Sequence, residues 1–404
     1  MMSELVITDV PGFRAAGVHA GLKKNDGLDF ALVVSDLPCV AAGTFTKNLV
    51  QAAPVQYDKA TLGKNPTGIR AVAINSKNAN AVTGEQGMRD AAEMARLVEE
   101  ANGLAADSTL VMSTGVIGVP MPMDKITRGV RLASDSLGSR HEDGIRISEA
   151  IMTTDTRPKR AARQVKLGGV TVTLAGMAKG AGMIHPNMAT LLGTICTDVA
   201  INQAPLQAAL SYAVNRSYNC MTVDGDTSTN DTQVVLANGM AQNPLIDSED
   251  HPDFEAFRDA LSDVCIDLAK KIAFDGEGAT KYVTIQVNGL PTFEEARQIG
   301  RSIGTSPLVK TALFGRDANW GRVLCAAGYS GVQFDPTRTN LWFGDLQLLK
   351  DGTPVGVDEE RALEILSEQD ILITLTLEDG PASATIWTCD FSFDYISVNA
   401  EYRS

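Results

Sequence analysis

The sequence predicts an α/β or α+β fold, because short apolar runs of strand character alternate with longer segments of helical period along most of its length. Its 404 residues exceed the size at which one hydrophobic core usually stops growing, so two lobes are expected. An apolar fraction of 44%, without low-complexity tracts or internal repeats, is enough to fill sizeable cores and excludes a disordered chain.

Residues 30–34 and 71–74 are apolar runs that suit buried strands. Residues 86–101 carry apolar side chains at helical spacing and stop at Gly103, and 123–137 read as a second amphipathic helix. A strand ends at Met112, and a tight turn separates it from that helix. Residues 170–174 alternate as a strand and lead into a glycine-rich loop at 176–182. Residues 190–199, with Leu191, Leu192, Ile195 and Val199, form the next strand. Helices follow at about 205–218, 254–272 and 293–303. Strands are expected at 282–287, near 342–349, and at 371–377 and 383–389, with Lys350-Asp351-Gly352 as a turn. No flexible Pro/Gly/Ser linker divides the chain.

A net charge of -14 argues against a nucleic-acid partner, whose phosphates require clustered Lys and Arg. The same charge repels acidic substrates at long range, so a carboxylate-bearing substrate needs a locally positive pocket. Six cysteines lie scattered without C-x-x-C spacing and read as reduced thiols. Residues 1–11 have neither an apolar signal core nor the Arg-rich pattern of a transit peptide, and no segment is long and apolar enough to span a bilayer. A soluble cytoplasmic protein is expected.

The most informative stretch is Lys179-Gly180-Ala181-Gly182-Met183-Ile184-His185-Pro186-Asn187-Met188-Ala189-Thr190, which places a threonine behind a small residue at the start of an apolar run. The Thr190 hydroxyl can attack the Ala189 carbonyl and turn the peptide into an ester that water hydrolyses. The new chain then begins with a threonine whose own α-amine can act as its base. That amine has a reference pKa of about 8, far closer to neutrality than a lysine. Taken alone, Thr190 would merely begin a strand, where threonine is common.

This run resembles the processing site of the glutamate N-acetyltransferase / ornithine acetyltransferase family of arginine biosynthesis. The resemblance continues in order through Asn75-Ser76-Lys77-Asn78-Ala79-Asn80-Ala81, Ser113-Thr114-Gly115-Val116-Ile117-Gly118, Thr153-Thr154-Asp155-Thr156, Thr222-Val223-Asp224-Gly225-Asp226-Thr227-Ser228-Thr229-Asn230-Asp231 and Asn399-Ala400-Glu401-Tyr402. Lys77 departs from the family's usual glycine. The resemblance implies an α/β sandwich of sheets flanked by helices, shared with self-cleaving aminopeptidases. It also implies cleavage at Ala189/Thr190 into an α fragment, 1–189, and a β fragment, 190–404, associated as two of each.

The implied reaction moves the acetyl group of N2-acetylornithine to glutamate through an ester on Thr190, with Thr114 and Gly115 as the oxyanion hole. Thr153, Lys179, Thr190, Glu277, Asn399 and Ser404 are the implied substrate-binding residues. Lys179 would face a substrate carboxylate and Glu277 an ammonium, as an amino acid zwitterion requires. The corresponding bland readings are a loop lysine and a helix-end carboxylate. Some members also accept acetyl-CoA, which would then be a substrate, so no cofactor is expected.

Asp224, Asp226 and Asp231 lack the spacing and closing glutamate of an EF-hand, and a capped turn and helix start at 226–231 is the expectation. The four histidines form no zinc motif, and His185 beside Pro186 reads as a loop residue. Gly180-x-Gly182 lacks the third glycine of a dinucleotide fingerprint, and no Gly-Lys-Ser/Thr occurs. The alternatives are an aminopeptidase of the same fold, in which water replaces glutamate, and a non-catalytic binding protein.

Overall fold

The computed structural model describes residues 5–185 and 191–401. Ala189, Thr190 and Ser404 lie outside the described residues. In chain order the elements of the first half are β1 (Phe13–Val18), β2 (Phe30–Phe45), α1 (Ala53–Lys64), β3 (Ile69–Asn75), α2 (Gly84–Asn102), β4 (Thr109–Ser113), α3 (Met123–Asp135), α4 (His141–Ala150), β5 (Lys159–Leu167) and β6 (Val170–Lys179). There follow β7 (Leu192–Thr197), α5 (Gln203–Arg216), β8 (Thr232–Ala237), α6 (Phe254–Phe274), β9 (Tyr282–Leu290), α7 (Phe293–Thr305), α8 (Pro307–Phe314) and α9 (Trp320–Gly328). The chain closes with β10 (Asn340–Phe343), β11 (Leu346–Lys350), β12 (Thr353–Pro354), α10 (Glu359–Ser367), β13 (Asp370–Thr376), β14 (Ala382–Cys389) and α11 (Phe393–Ala400). The mixed α/β class expected from the sequence is what the structure shows.

Two compact units divide the chain. One comprises Met1–Gly180, Asn187–Asn219 and Thr227–Leu268, the other Ala181–Pro186, Cys220–Asp226 and Ala269–Ser404.

The first unit is built on an eight-stranded sheet in the order β4-β3-β2-β8-β7-β6-β5, with β1 paired to β2. β2 is its spine. Phe30, Leu32 and Val34 join one core with Met94 and Val98 of α2 and Ile126 and Val130 of α3, while Ala31 and Val33 join another with Ile147 of α4. Burial on both faces is why this stretch reads as an unbroken apolar run. The strand reaches Phe45, well past the residue 34 at which the sequence pattern stops, because Asp36, Leu37 and Pro38 form an exposed kink. Pairing with β3 is broken between Val34 and Cys39 and pairing with β8 begins at Val40, so Pro38 sits where no ladder needs its missing N–H.

β6 and β7 are antiparallel neighbours, Lys179 facing Leu192, and β7 pairs parallel with β8 through the α5 crossover. The glycine-rich loop expected at 176–182 is shorter than that, since β6 continues to Lys179; Gly176 is a strand residue with the Ile195 side chain packed where a Cβ would stand. The helix start expected at 226–231 is absent. That backbone accepts from the Thr46 and Ala52 amides at Asp231 and Thr229, which draws it into the sheet as the approach to β8.

The second unit holds a six-stranded sheet, β12-β11-β10-β13-β9-β14, with β9 and β13 parallel. α7 starts with a reciprocal capping box between Thr292 and Glu295 and packs on β14 and β9, where Gly300 leaves room for Ile386. The single strand expected near 342–349 is a hairpin of β10 and β11, turning at Gly344, whose φ is 56°.

One loop stands out in backbone conformation. After β3, Lys77, Asn80 and Val82 adopt φ of 72°, 47° and 57°, the left-handed region that costs a side-chain-bearing residue about 1–2 kcal/mol. Its neighbour is the loop after β4: Ala79 N–H donates to Val116 O and Val116 N–H to Lys77 O. A Cβ on Gly115 would overlap the Lys77 carbonyl carbon, so only glycine permits this approach.

Lys77→Gly relieves that strain, offset by the roughly 0.4–1 kcal/mol of unfolded-chain entropy that a glycine adds. The expected result in urea unfolding is a midpoint equal to or above wild type. Lys77→Val, β-branched in the same conformation, should lower it, and the reverse order would refute the strain at this position.

Candidate active site

The first unit brings Thr114, Gly115, Thr153 and Lys179 into one hydrogen-bonded group. Thr114 and Gly115 follow directly on β4, and Lys179 is the last residue of β6. Lys179 is buried, at 5% exposure, and its Nζ lies 3.1 Å from Thr114 Oγ1. The surface-lysine reading is therefore wrong. An ammonium only donates, so the Thr114 hydroxyl accepts from it and keeps its own proton for another acceptor. Thr114 N–H donates to Asn75 O and Val116 N–H to Lys77 O, whereas the Gly115 N–H between them has no partner among the described residues. An unengaged amide beside an unengaged hydroxyl proton is the donor pair that an oxyanion needs.

Asp155 organises this group, and its role was not read from the sequence. Its carboxylate accepts from Thr153 N–H at 3.0 Å, Gly180 N–H at 2.7 Å and Lys159 Nζ at 2.6 Å. Burial pushes this carboxyl up, but Lys159 and Lys179 beside it, with the hydrogen bonds, bring it down to about 2. The Asp155 and Lys159 side chains are fully inaccessible to solvent. The Thr153 hydroxyl makes no hydrogen bond among the described residues, while its backbone is fixed. The block Thr153-Thr154-Asp155-Thr156 was visible, but burial of the aspartate was not.

The second unit brings Glu277 and Asn399 together. Glu277, 8% exposed, sits in the turn after α6 and accepts from Asn399 Nδ2 of α11 at 2.9 Å. No lysine or arginine pairs with it among the described residues, which leaves a buried carboxylate suited to an ammonium ligand. Its own N–H donates to Ala181 O, and a Cβ on Gly182 would overlap its carboxylate. Gly182 is therefore a close-approach glycine.

Residues 183–185, just before the Ala189/Thr190 junction, are also clamped in this unit. Asp224 accepts from Met183 N–H at 2.6 Å and Ile184 N–H at 2.8 Å, and Met183 has a φ of 58°. The Asp224 carboxylate is thus engaged by backbone amides. His185 Nδ1 lies 3.2 Å from Thr222 Oγ1, and its Nε2 accepts from the Arg301 guanidinium at 2.6 Å. Burial and then Arg301 push its pKa down to about 4, so the ring is neutral near pH 7.

The depressed carboxyl of Asp155 makes a pH prediction. A folded pKa below the unfolded value gives stability that is complete above about pH 4 and is lost as pH falls toward 2. The thermal midpoint of wild type should drop through that window, and Asp155→Asn should remove this component of the drop. At neutral pH the variant should be less stable by about 3–5 kcal/mol, because Lys159 loses its buried partner. Parallel pH profiles for the two proteins would refute the assignment.

The ArgJ family model matches residues 14–404. The chain is 53% identical over 401 residues to the arginine biosynthesis bifunctional protein ArgJ of Symbiobacterium thermophilum, covering 98% of each. It is 50% identical to the mitochondrial arginine biosynthesis bifunctional protein ArgJ of Fusarium vanettenii, across 97% of this chain and 92% of that one. The crystal structure of the arginine biosynthesis bifunctional protein argJ from Bacillus halodurans matches with 44% identity and a TM-score of 0.50, over 51% of this chain and 97% of that one. With its fold class and near full-length matches in agreement, the chain belongs to the ArgJ family, an acetyltransferase of arginine biosynthesis.

Proposed function

We propose that this acetyltransferase moves the acetyl group of N2-acetylornithine to glutamate through an ester on Thr190, after cleaving itself at Ala189/Thr190. The observation that supports the chemistry is the pair of donors at Gly115 N–H and the Thr114 hydroxyl, neither with an acceptor among the described residues and both fit for a tetrahedral oxyanion. Thr190 Oγ attacks the acetyl carbonyl while its α-amine takes the proton. The intermediate collapses as that proton passes to the departing ornithine amine. The glutamate amine then attacks the ester, and Thr190 is regenerated with release of N-acetylglutamate. Lys179 supplies positive charge for a substrate carboxylate and Glu277 with Asn399 receives an ammonium, while Thr153 and Ser404 contribute hydroxyls. The bifunctional names of the relatives support acetyl-CoA as a second donor. No resident cofactor enters these steps.

Cleavage is supported by the Bacillus halodurans chain, which is matched over 97% of its own length yet spans 51% of this chain, about the size that self-cleavage would leave. The two fragments, 1–189 and 190–404, stay joined because β6 and β7 are ladder partners from opposite sides of the cut, as are β2 and β8. Two copies of each make the assembly. Among the described residues no helix is long and apolar enough to cross a membrane, in keeping with action in the cytoplasm.

Intact-mass analysis of purified protein should show two fragments that co-elute under native conditions, and Thr190→Ala should give one chain. Full-length wild type after prolonged incubation would refute processing. Acetylornithine without glutamate should add one acetyl group to the 190–404 fragment, glutamate should discharge it, and steady-state kinetics should be ping-pong. Rapid acetate release that glutamate does not redirect would instead indicate a hydrolase. Lys179→Ala should cut kcat/KM by about a hundredfold or more, since one oxyanion donor loses its orienting partner; wild-type kinetics would remove Lys179 from the site.

A further inference from the structure

We infer that Asn230 is a positioning residue that fixes the oxyanion loop relative to the strand carrying the nucleophile. Its carboxamide is buried, at 7% exposure, and its Nδ2 donates to Ala79 O at 2.6 Å and to Ser113 O at 2.8 Å. Both partners are carbonyls, which only accept, so the group facing them must be the amide nitrogen. Thr229 Oγ1 donates to the Asn230 Oδ1 at 2.6 Å and holds the plane from the other side. One side chain thus bridges the residue before Thr114 and the strained loop on which Gly115 rests.

The same residue is tied to the nucleophile strand through its own backbone. Two positions on, Thr232 N–H donates to the carbonyl of Leu191, the residue that follows Thr190, and the β7–β8 ladder continues from there. Asn230 also accepts from Thr232 Oγ1 at 3.0 Å. The path from the start of β7 to Ser113 therefore runs through one ladder bond and one carboxamide, both buried. Two neighbouring asparagines do not reach β7 or β8: Asn75 Oδ1 accepts from Ser113 Oγ between the ends of β3 and β4, and Asn78 Nδ2 donates to Val119 O and Pro120 O. Loss of the Asn230 bridge lets the donors drift from the attacking oxygen, and a misplacement of order 1 Å costs roughly a hundredfold in rate.

This inference rests on reading Thr114 and Gly115 as the oxyanion hole, and the test separates the two. Asn238 is a matched control at the opposite end of β8, equally buried at 7%, with Nδ2 donating to Pro11 O at 2.8 Å. Asn230→Ala, the near-isosteric Asn230→Asp, Asn238→Ala, Thr114→Ala and Thr114→Ala/Asn230→Ala are compared for thermal midpoint, self-cleavage, kcat and KM. Both alanine variants of asparagine should lose similar stability. Only the Asn230 variants should lose about a hundredfold in kcat with KM little changed, and the double variant should lose less than the product of the singles. An Asn230 variant that stays folded but uncleaved, beside a cleaved Asn238→Ala, also supports the role. A kcat for Asn230→Ala equal to that of Asn238→Ala, or a full product in the double variant, overturns it. A Thr114→Ala variant as active as wild type overturns the oxyanion reading itself.

Discussion

The buried ion pair of Asp155 and Lys159 is the constraint on which the arrangement of Thr114, Thr153 and Lys179 in the first unit depends. Two charges without solvent access carry a desolvation cost of several kcal/mol each, and they persist only because each satisfies the other and the carboxylate takes two further N–H donors. Those donors come from the turn holding Thr153 and from Gly180, the residue after Lys179. Two separate pieces of chain, 153–159 and the end of β6, are thereby fixed around one carboxylate, and Lys179 is held where it can reach Thr114. A pair of modest net stability becomes a device for geometry.

Around that anchor the unit places strain next to function. Lys77 and Val82 hold left-handed backbone conformations that glycine would adopt freely, and the loop containing them carries the loop of Thr114 and Gly115. Buried asparagine carboxamides take up the carbonyls that such irregular backbone leaves unpaired by any ladder. The price in local strain is met by a network with little freedom to relax. Gly115 N–H, left out of that network among the described residues, is the group free to meet a ligand.

The second unit solves a complementary problem, that of holding a carboxylate without a cation. Glu277 is buried against the backbone at Gly182, and among the described residues its carboxylate hydrogen-bonds the Asn399 amide, which does not neutralise it. Just after Gly182, Met183 and Ile184 donate their amides to the Asp224 carboxylate, and Met183 takes a left-handed turn. Two acidic residues distant in sequence from the same motif thus serve opposite ends, one facing Gly182 with its carboxylate and one consumed by backbone amides.

Local pattern determined much of this protein. The continuous apolar runs at the start of β2 and in β3, the helical spacing of α2 ending at Gly103 and the long α6 were legible because burial on one or two faces imposes a fixed period on the residues themselves. The motif from Lys179 to Thr190 carried the family, since a threonine behind a small residue and closely spaced glycines are properties of residue type. Only the tertiary structure decided the rest. Pro38 hides the second half of β2, Gly344 splits one apparent strand into a hairpin, and the approach to β8 pairs with distant backbone despite its helix-capping composition. Asp155, Asp224 and Asn230 look in sequence like ordinary turn residues. Asp224 and Asn230 take their partners from distant chain, Asp155 joins its near neighbours Thr153 and Lys159 to Gly180, and a polar side chain's worth depends on how much water the fold removes from it, which no local pattern records.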